Sequence, residues 1–229
     1  RQVIDELFRK GKIPIVVGGS GLYIRALIDG LVELPTPDPG LRTDIEQRIE
    51  EFGMEAMLEE LRLIDPEYAG KIGLKDKKRL IRALEVWEST GRPFSAWHAG
   101  QTSQNWCNPV IFGINRPRPA LHEAIALRVD LMLENGWTEE VKLLAAHYGG
   151  FEKLPAPVTE AVGYREIVSH LLGDLSLAEA REKIIISTRQ FAKRQITWFK
   201  ADKRIKWFED TGEKVISSWA ENLGSVLKH

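Results

Sequence analysis

The chain has 229 residues and a formal charge of −1, because 32 Lys and Arg residues are balanced by 33 Asp and Glu residues. Apolar residues make up 43% of it and charged residues 28%, which is ordinary globular usage and excludes a disordered or collagen-like chain. Cys107 is the only cysteine, which excludes an internal disulfide and a cysteine-based zinc site. No apolar run is long enough to span a membrane.

The first predicted elements are a helix, a strand and a second helix. Val3, Leu7 and Phe8 have helical spacing, and Gly11 suits the end of a helix. Branched residues at 13–17 predict a buried strand, and residues 22–31 predict a helix. This order is typical of the interior of a parallel α/β sheet. Because the chain lacks an initiator Met and only about three strands are predicted, we expect that an N-terminal piece is missing.

The middle of the chain is predicted to be helical. Asp38 and Pro39 suit the start of a helix, Asp65 with Pro66 interrupts the helical pattern, and Asp76 suits the cap of a further helix that ends before Gly91. Residues 98–108 are polar and predict a loop. The predicted helices here span residues 41–52, 54–63 and 77–88.

The last part predicts two strands among long helices. Residues 110–114 and 205–208 predict the strands. The predicted helices span residues 121–135, 139–148, 164–172, 177–199 and 215–227.

The segment Gly18-Gly-Ser-Gly21 could bind an anion. Free N–H groups at a helix start attract phosphate, glycine lets it approach the backbone, and Ser20 adds a hydroxyl group. The segment lacks the Lys-Ser/Thr ending of a Walker A loop, so it is not a nucleotide loop of that kind. A tight turn between strand and helix explains the same residues.

Two predicted helices carry cations that could bind an anionic partner. Lys77, Lys78, Arg79 and Arg82 lie at a helix start, where cations cost roughly 0.3–1 kcal/mol each against the helix dipole, and an anion would offset that cost. Arg128 lies beside an apolar stripe, where we expect it to be partly sheltered, and its guanidinium suits a diphosphate. The alternatives are a solvated charged face for the first group and a surface pair of Arg128 with Asp130 or Glu123.

Residues 183–206 form the strongest candidate. They hold eight Lys and Arg residues against the single acid Asp202, a formal charge of +7 within a chain of charge −1. Arg189, Lys193 and Lys200 fall on one side of the predicted helix, next to a mostly apolar side. This pattern favours a nucleic-acid backbone as partner over a basic amphipathic helix without a ligand.

Other polar residues give weaker signals. The five histidines do not cluster at metal-ligand spacings. Tyr164, after Gly163 at a predicted helix start, is equally compatible with stacking on a base and with packing inside the protein.

Four segments together resemble the tRNA dimethylallyltransferase (tRNA isopentenyltransferase) family. They are Val17-Gly-Gly-Ser-Gly-Leu-Tyr-Ile-Arg-Ala-Leu27, Asp76-Lys-Lys-Arg-Leu-Ile-Arg-Ala-Leu-Glu-Val-Trp87, Gly163-Tyr-Arg-Glu166 and Thr188-Arg-Gln-Phe-Ala-Lys-Arg-Gln-Ile-Thr-Trp-Phe199. The resemblance covers essentially the whole chain in order. It implies an α/β fold with a P-loop NTPase-like parallel sheet, a helical insertion and a helix-rich C-terminal part.

The resemblance also implies an activity. Family members transfer a dimethylallyl group from dimethylallyl diphosphate to N6 of the adenosine 3′-adjacent to the anticodon, with Mg²⁺ assisting at the diphosphate. The target base is extruded, since a stacked N6 amine cannot reach an electrophile. The implied partner is a tRNA anticodon stem-loop, and we expect a cytoplasmic monomer without membrane contact.

The resemblance assigns roles to residues of this chain. It places Ser20 at the active site in contact with tRNA, and it gives Arg128 and Arg189 contacts to the diphosphate. The implied tRNA contacts are Ser20, Arg42, Lys78, Arg79, Arg82, Glu160, Gly163, Tyr164, Arg165, Lys193, Arg194, Gln195, Thr197, Trp198 and Lys200.

The chain departs from the family pattern at its beginning. The family's N-terminal phosphate loop and its general-base Asp have no match in these residues, so we expect this chain alone to be incomplete for catalysis. A small-molecule P-loop kinase relative and a non-catalytic tRNA-binding module are the alternatives. We expect a core α/β segment at 1–35, a helical insertion with a tRNA-contacting helix at 36–105, and the remaining core strand, lid-like helices and basic helix at 106–229.

Overall fold

A computed structural model of the protein describes residues 1–99 and 107–209. The described part is a helix-rich α/β structure with two short parallel strands. The predicted helix at 215–227 and most of the predicted loop at 98–108 lie outside these residues, and residues 98 and 99 of that loop end a helix instead. The elements are α1 (Gln2–Arg9), α2 (Gly21–Ile28), α3 (Pro39–Ile64), α4 (Pro66–Ala69), α5 (Lys77–Thr90), α6 (Phe94–Ala99), β1 (Phe112–Ile114), α7 (Arg118–Glu134), α8 (Trp137–Tyr148), a 3₁₀ turn (Phe151–Lys153), α9 (Ala156–Thr159), α10 (Tyr164–Leu171), α11 (Leu177–Lys200) and β2 (Lys206–Phe208).

The chain divides into two compact units. The first contains residues 1–14 and 22–108, and the second contains residues 15–21 and 109–229. The second unit is therefore discontinuous in sequence, because it includes residues 15–21, which precede most of the first unit. The expected division at residues 35 and 105 remains a prediction.

The core of the first unit lies between α3, α4, α5 and α6. Ile45, Leu61, Leu80 and Leu84 are fully buried in it. As predicted, the Asp38 carboxylate caps α3 by accepting hydrogen bonds from the N–H groups of residues 40 and 41, at 2.8 and 3.3 Å. The cap fixes where α3 begins, and the buried apolar side chains pack the helices against one another.

The predicted break within α3 is confirmed. Gly53 has a φ of +85° and divides α3 into two helical parts, at the junction predicted between residues 52 and 54. Arg48 ties the parts together, because its guanidinium donates to Glu60 at 2.6 Å, on the second part, and to Glu88 at 2.7 Å, on α5. These bonds raise the pKa of Arg48 further above its usual value.

The expected cap by Asp76 is not made. Asp76 occupies the N-cap position of α5, but its carboxylate accepts a hydrogen bond of 3.2 Å from the N–H of Gly73 and lies 3.6 Å from Arg79. The Asp76 carboxylate therefore bonds to the turn before the helix and not to the N–H groups of the first turn of α5.

The core of the second unit lies between α7, α8, α10 and α11. Val129, Val141, Ile167 and Ile184 are buried there. The predicted stripe on α7 is confirmed, since Leu121 and Met132 pack against this core too. The strands β1 and β2 pair in parallel, with residues 112, 113 and 114 opposite 206, 207 and 208.

The predicted strand at residues 13–17 is wrong. The segment has no regular secondary structure, and its side chains are largely exposed, Val17 by 90%. A strand is stable only when another strand accepts its backbone hydrogen bonds, and within residues 1–99 and 107–209 only β1 and β2 pair. Branched residues favour an extended backbone but do not supply that partner.

The helices of the described ranges include none with the length and apolarity needed to cross a membrane.

Candidate functional site

The glycine-rich loop, residues 18–21, packs against the basic helix α11 within the second unit. Gln195 Nε2 donates a hydrogen bond of 2.9 Å to the carbonyl oxygen of Gly19. A Cβ atom added to Gly19 would overlap with the Gln195 amide, and one added to Gly21 would overlap with the Trp198 indole. Both glycines are therefore required by close approach of the backbone to α11, which is a more specific reason than a tight turn.

Ser20 lies between these two glycines. It is exposed and has no hydrogen-bond partner in the described part of the chain. Its hydroxyl group is thus available to an external ligand, at a backbone position that α11 fixes on both sides.

An open groove runs along α11 next to this loop's contacts. Its volume is about 520 Å³, and it is lined by Gln190, Lys193, Arg194, Thr197 and Trp198. Lys193 and Arg194 are exposed, and Arg194 also lies 5.8 Å from the centre of the Phe191 ring. Two cations beside a partly exposed indole ring form a surface suited to a phosphodiester backbone with unstacked bases.

The remaining predicted residues of α11 differ in their surroundings. Lys200 is exposed near the C-terminal end of the helix, whereas the Thr197 hydroxyl donates a 3.0 Å bond to the carbonyl oxygen of Lys193. Arg189 is half-buried, and its Nε atom is buried without a hydrogen-bond partner among the described residues. An unpaired guanidinium N–H of this kind can donate a hydrogen bond to an anion.

His122 on α7 lies in the field of Arg189 and Arg118. Partial desolvation lowers the pKa of His122, and the positive charges of Arg189 and Arg118 lower it further. His122 and Arg118 were not identified as site residues from the sequence, because only the fold brings α7 and α11 together. Arg189 on α11 and Arg118 on α7 thus place positive charge around His122, and that charge disfavours the protonated form of its imidazole ring.

Arg128 is more accessible than expected. It is exposed on α7, and it has no ion-pair or hydrogen-bond partner within the described ranges. The alternative pairing with Asp130 is excluded, because Asp130 accepts two bonds from Arg181, at 2.5 and 2.9 Å. Those bonds lower the pKa of Asp130. Arg128 therefore keeps its charge available for a ligand.

The predicted contacts of the first unit have partners within the protein. Arg82 is 23% exposed and donates to Glu85 at 2.7 Å and to the carbonyl oxygen of Pro35 at 2.6 Å. Glu85 is buried, so Arg82 neutralises a carboxylate that would otherwise be buried alone. Arg42 lies 3.2 Å from Glu46, and the exposed Lys78 lies on the first turn of α5.

The start of α10 is organised by packing. The Tyr164 hydroxyl donates a 2.6 Å bond to Glu140, and the Tyr164 ring meets the Trp137 ring edge to face at 5.7 Å. The bond with Glu140 and burial raise the pKa of Tyr164. Arg165 Nε donates to the carbonyl oxygen of Thr159 at 2.8 Å. Of the two interpretations of Tyr164, packing is the one the structure shows.

The structure thus brings part of the predicted set together. The loop with Ser20 and the cations of α11 belong to one unit, as do Arg128, Arg189, Glu160 and the start of α10. Arg42 and residues 78–82 belong to the other unit. No three His, Cys, Asp or Glu residues of the described part cluster closely enough to hold a metal ion by themselves.

Comparison with known proteins identifies relatives of one enzyme family. A family model described as IPP transferase matches residues 1–202. The tRNA dimethylallyltransferase of Kocuria rhizophila is 42% identical over 210 residues, which cover 91% of this chain and 64% of that protein. The tRNA dimethylallyltransferase of Carboxydothermus hydrogenoformans is 43% identical over 225 residues, covering 97% and 71%. The chain therefore spans about two thirds of the length of these relatives.

Solved structures give the same result. The full-length tRNA isopentenylpyrophosphate transferase of Bacillus halodurans is similar with a TM-score of 0.62 and 30% identity, over 99% of this chain and 71% of that one. A eukaryotic dimethylallyltransferase acting on tRNA is similar with a TM-score of 0.67 and 26% identity, over 99% and 57%.

Proposed function

Because the chain belongs to the IPP transferase family, we propose that its protein transfers a dimethylallyl group from dimethylallyl diphosphate to N6 of the adenosine 3′-adjacent to the anticodon of tRNA. The relatives that carry this match are named tRNA dimethylallyltransferases, which does not favour the small-molecule kinase alternative. The observation that carries the proposal is the groove of α11, where Lys193 and Arg194 lie on the helix that holds the Ser20 loop. Cytoplasmic action as a monomer on an anticodon stem-loop is part of the same proposal.

The proposed reaction is a substitution at the allylic carbon. The N6 nitrogen forms a bond to C1 of the dimethylallyl group, the bond from C1 to the diphosphate oxygen breaks, and N6 gives up one proton. The leaving diphosphate takes the electron pair of the broken bond. Cations that meet this developing charge accelerate the reaction, and Arg128 and Arg189 have N–H groups without partners among the described residues. The residues assigned here do not include the proton acceptor. Mg²⁺, which the family resemblance implies, would supply further positive charge at the leaving diphosphate when bound.

Ser20 and the α11 cations act on the RNA. We assign the Ser20 hydroxyl to a hydrogen bond with the target nucleotide, and the ammonium of Lys193 and guanidinium of Arg194 to its flanking phosphates. Contacts to phosphates position the RNA without reading its sequence. The proposed tRNA contacts also include the start of α10, where Gly163 is buried, Tyr164 is half-buried and Arg165 is exposed. The exposed residues Lys78, Arg79, Glu160 and Lys200 are proposed contacts as well.

Salt dependence tests the RNA-binding part of the proposal. Binding of an anticodon stem-loop should weaken steeply with salt, and the variant Lys193→Ala/Arg194→Ala should flatten the slope of log K against log [salt] by about 1.4, or 0.7 per lost phosphate contact. Filter binding at four salt concentrations measures both slopes. Lys153→Ala, which removes an exposed lysine outside the proposed surface, is the control. An unchanged slope in the double variant would remove α11 from the RNA interface.

A further inference from the structure

Gln195 and Trp198 use their side chains differently from the cations on the same helix. They are three positions apart, on one face of α11, and both contact the glycine-rich loop. The Gln195 amide is half-buried and donates to the carbonyl oxygen of Gly19. The Trp198 indole rests against the Cα atom of Gly21, while 44% of the residue stays exposed.

These two contacts hold the loop on either side of Ser20. The carbonyl oxygen of Gly19 accepts the hydrogen bond from Gln195. Gly21 has no side chain, so the Trp198 indole can pack directly against its backbone. The backbone of Ser20 therefore has little freedom, although its side chain is exposed. A group that must meet a reacting base within a fraction of an ångström needs this kind of support.

We propose that Gln195 and Trp198 are positioning residues that fix the loop of Ser20, and that they are not primarily contacts to tRNA. The part of this inference that concerns catalysis rests on the proposed function, since it assumes that Ser20 acts on the target nucleotide. The part that concerns the loop depends only on the contacts with Gly19 and Gly21. The helix α11 then has two tasks, with the loop held by residues 195 and 198 and the RNA bound by residues 193 and 194.

Hydrogen exchange tests the loop directly. Gln195→Met keeps the length of the side chain and removes the N–H donor, so the amides of residues 18–22 should exchange about tenfold faster in the variant. Gln47→Met, at an exposed position of α3, makes the same chemical change without touching the loop. Unchanged exchange in the loop of the Gln195 variant would overturn the inference.

A second pair of variants approaches the same contact from the loop side. Gly21→Ala places a methyl group where the Trp198 indole lies, whereas Gly18→Ala points a methyl group into open space. Faster exchange at residues 18–22 is expected for Gly21→Ala and not for Gly18→Ala. Equal behaviour of the two variants would show that Trp198 does not hold the loop, even if Gln195→Met failed to fold.

Kinetics distinguish positioning from RNA binding. In the full-length enzyme, Gln195→Met should lower the single-turnover rate of dimethylallyl transfer about tenfold and leave the Kd for the anticodon stem-loop within about twofold. A rise of Kd with an unchanged rate would return Gln195 to the tRNA contacts and overturn the inference. If the unaltered protein neither bound nor modified the stem-loop, the proposed function would fail, while the exchange results would still decide whether Gln195 and Trp198 hold the loop.

Discussion

Replacing Gly163 with Ala tests how closely the start of α10 packs against Trp137. Gly163 has a φ of +96° and is buried, and an added Cβ atom would overlap with the outer ring of the Trp137 indole. Gly173 follows the same helix with a φ of +88°, and no atom lies within 4 Å of a Cβ added there. The two substitutions therefore share the backbone cost and differ in the steric overlap.

The expected losses of stability follow from these two contributions. Alanine at a positive φ costs roughly 1–2 kcal/mol at either position. Forcing an extra methyl group into a packed contact adds about 1–3 kcal/mol at Gly163 alone. We therefore expect Gly163→Ala to lower the free energy of unfolding by about 2–5 kcal/mol and Gly173→Ala by about 1–2 kcal/mol.

Urea unfolding followed by circular dichroism measures both losses, provided that the m values of the variants agree. Trp137→Phe withdraws the outer ring, so the double variant Trp137→Phe/Gly163→Ala should lose less stability than the two single variants added together. Equal losses for Gly163→Ala and Gly173→Ala, or strict additivity with Trp137→Phe, would refute the packing explanation.

Two further predictions concern the charges of α7. In the full-length enzyme, Arg128→Ala should lower the single-turnover rate of transfer about 10²–10³-fold and leave the Kd for the stem-loop within about twofold, because the proposed role of the lost charge is to stabilise the leaving diphosphate. Equal losses, measured by rapid quench and filter binding, would make Arg128 a tRNA contact instead. Arg181 lowers the pKa of Asp130, so the stability from this pair is fully present above the usual value of 3.8 and is lost as pH falls through the lower folded value. The urea midpoint of Arg181→Met should therefore lie below that of the unaltered protein at about pH 7 and approach it as the pH falls well below 3.8. A constant difference would contradict this.

Helix limits were predictable where a short-range signal sets them. Asp38 caps α3 through N–H groups only two and three residues away, and Gly53 interrupts α3 with its own backbone. The apolar stripe of α7 was predictable for a similar reason, because residues three and four positions apart share a helix face. Such signals depend on neighbours in sequence, so they do not require knowledge of the rest of the fold.

The wrong strand at residues 13–17 shows the opposite case. Its branched residues favour an extended backbone, but strand pairing also requires a second segment, which can lie far away in the sequence. The strands β1 and β2 illustrate this, since their partners are separated by more than ninety positions in sequence.

The candidate site was predictable in its charge and not in its contacts. The excess of cations in α11 pointed to a surface for an anionic partner, and Lys193 and Arg194 are exposed there. The bonds of Arg82 with the carbonyl oxygen of Pro35 and of Tyr164 with Glu140 join residues 47 and 24 positions apart, and sequence spacing does not reveal such partners. The same holds for the contact of Gln195 with Gly19, where glycine signalled close approach but not the side chain that approaches.

The bond between Gln195 and Gly19 also constrains the order of folding. It joins residues 176 positions apart, whereas the bond from Arg82 to Pro35 in the first unit spans 47. Contacts between distant residues form late, since the chain between them must first be brought together. During synthesis from the N-terminus, the glycine-rich loop is made long before α11, and the helices of the first unit can pack in that interval. We therefore expect the contact that fixes the Ser20 loop to form only after α11 has been made.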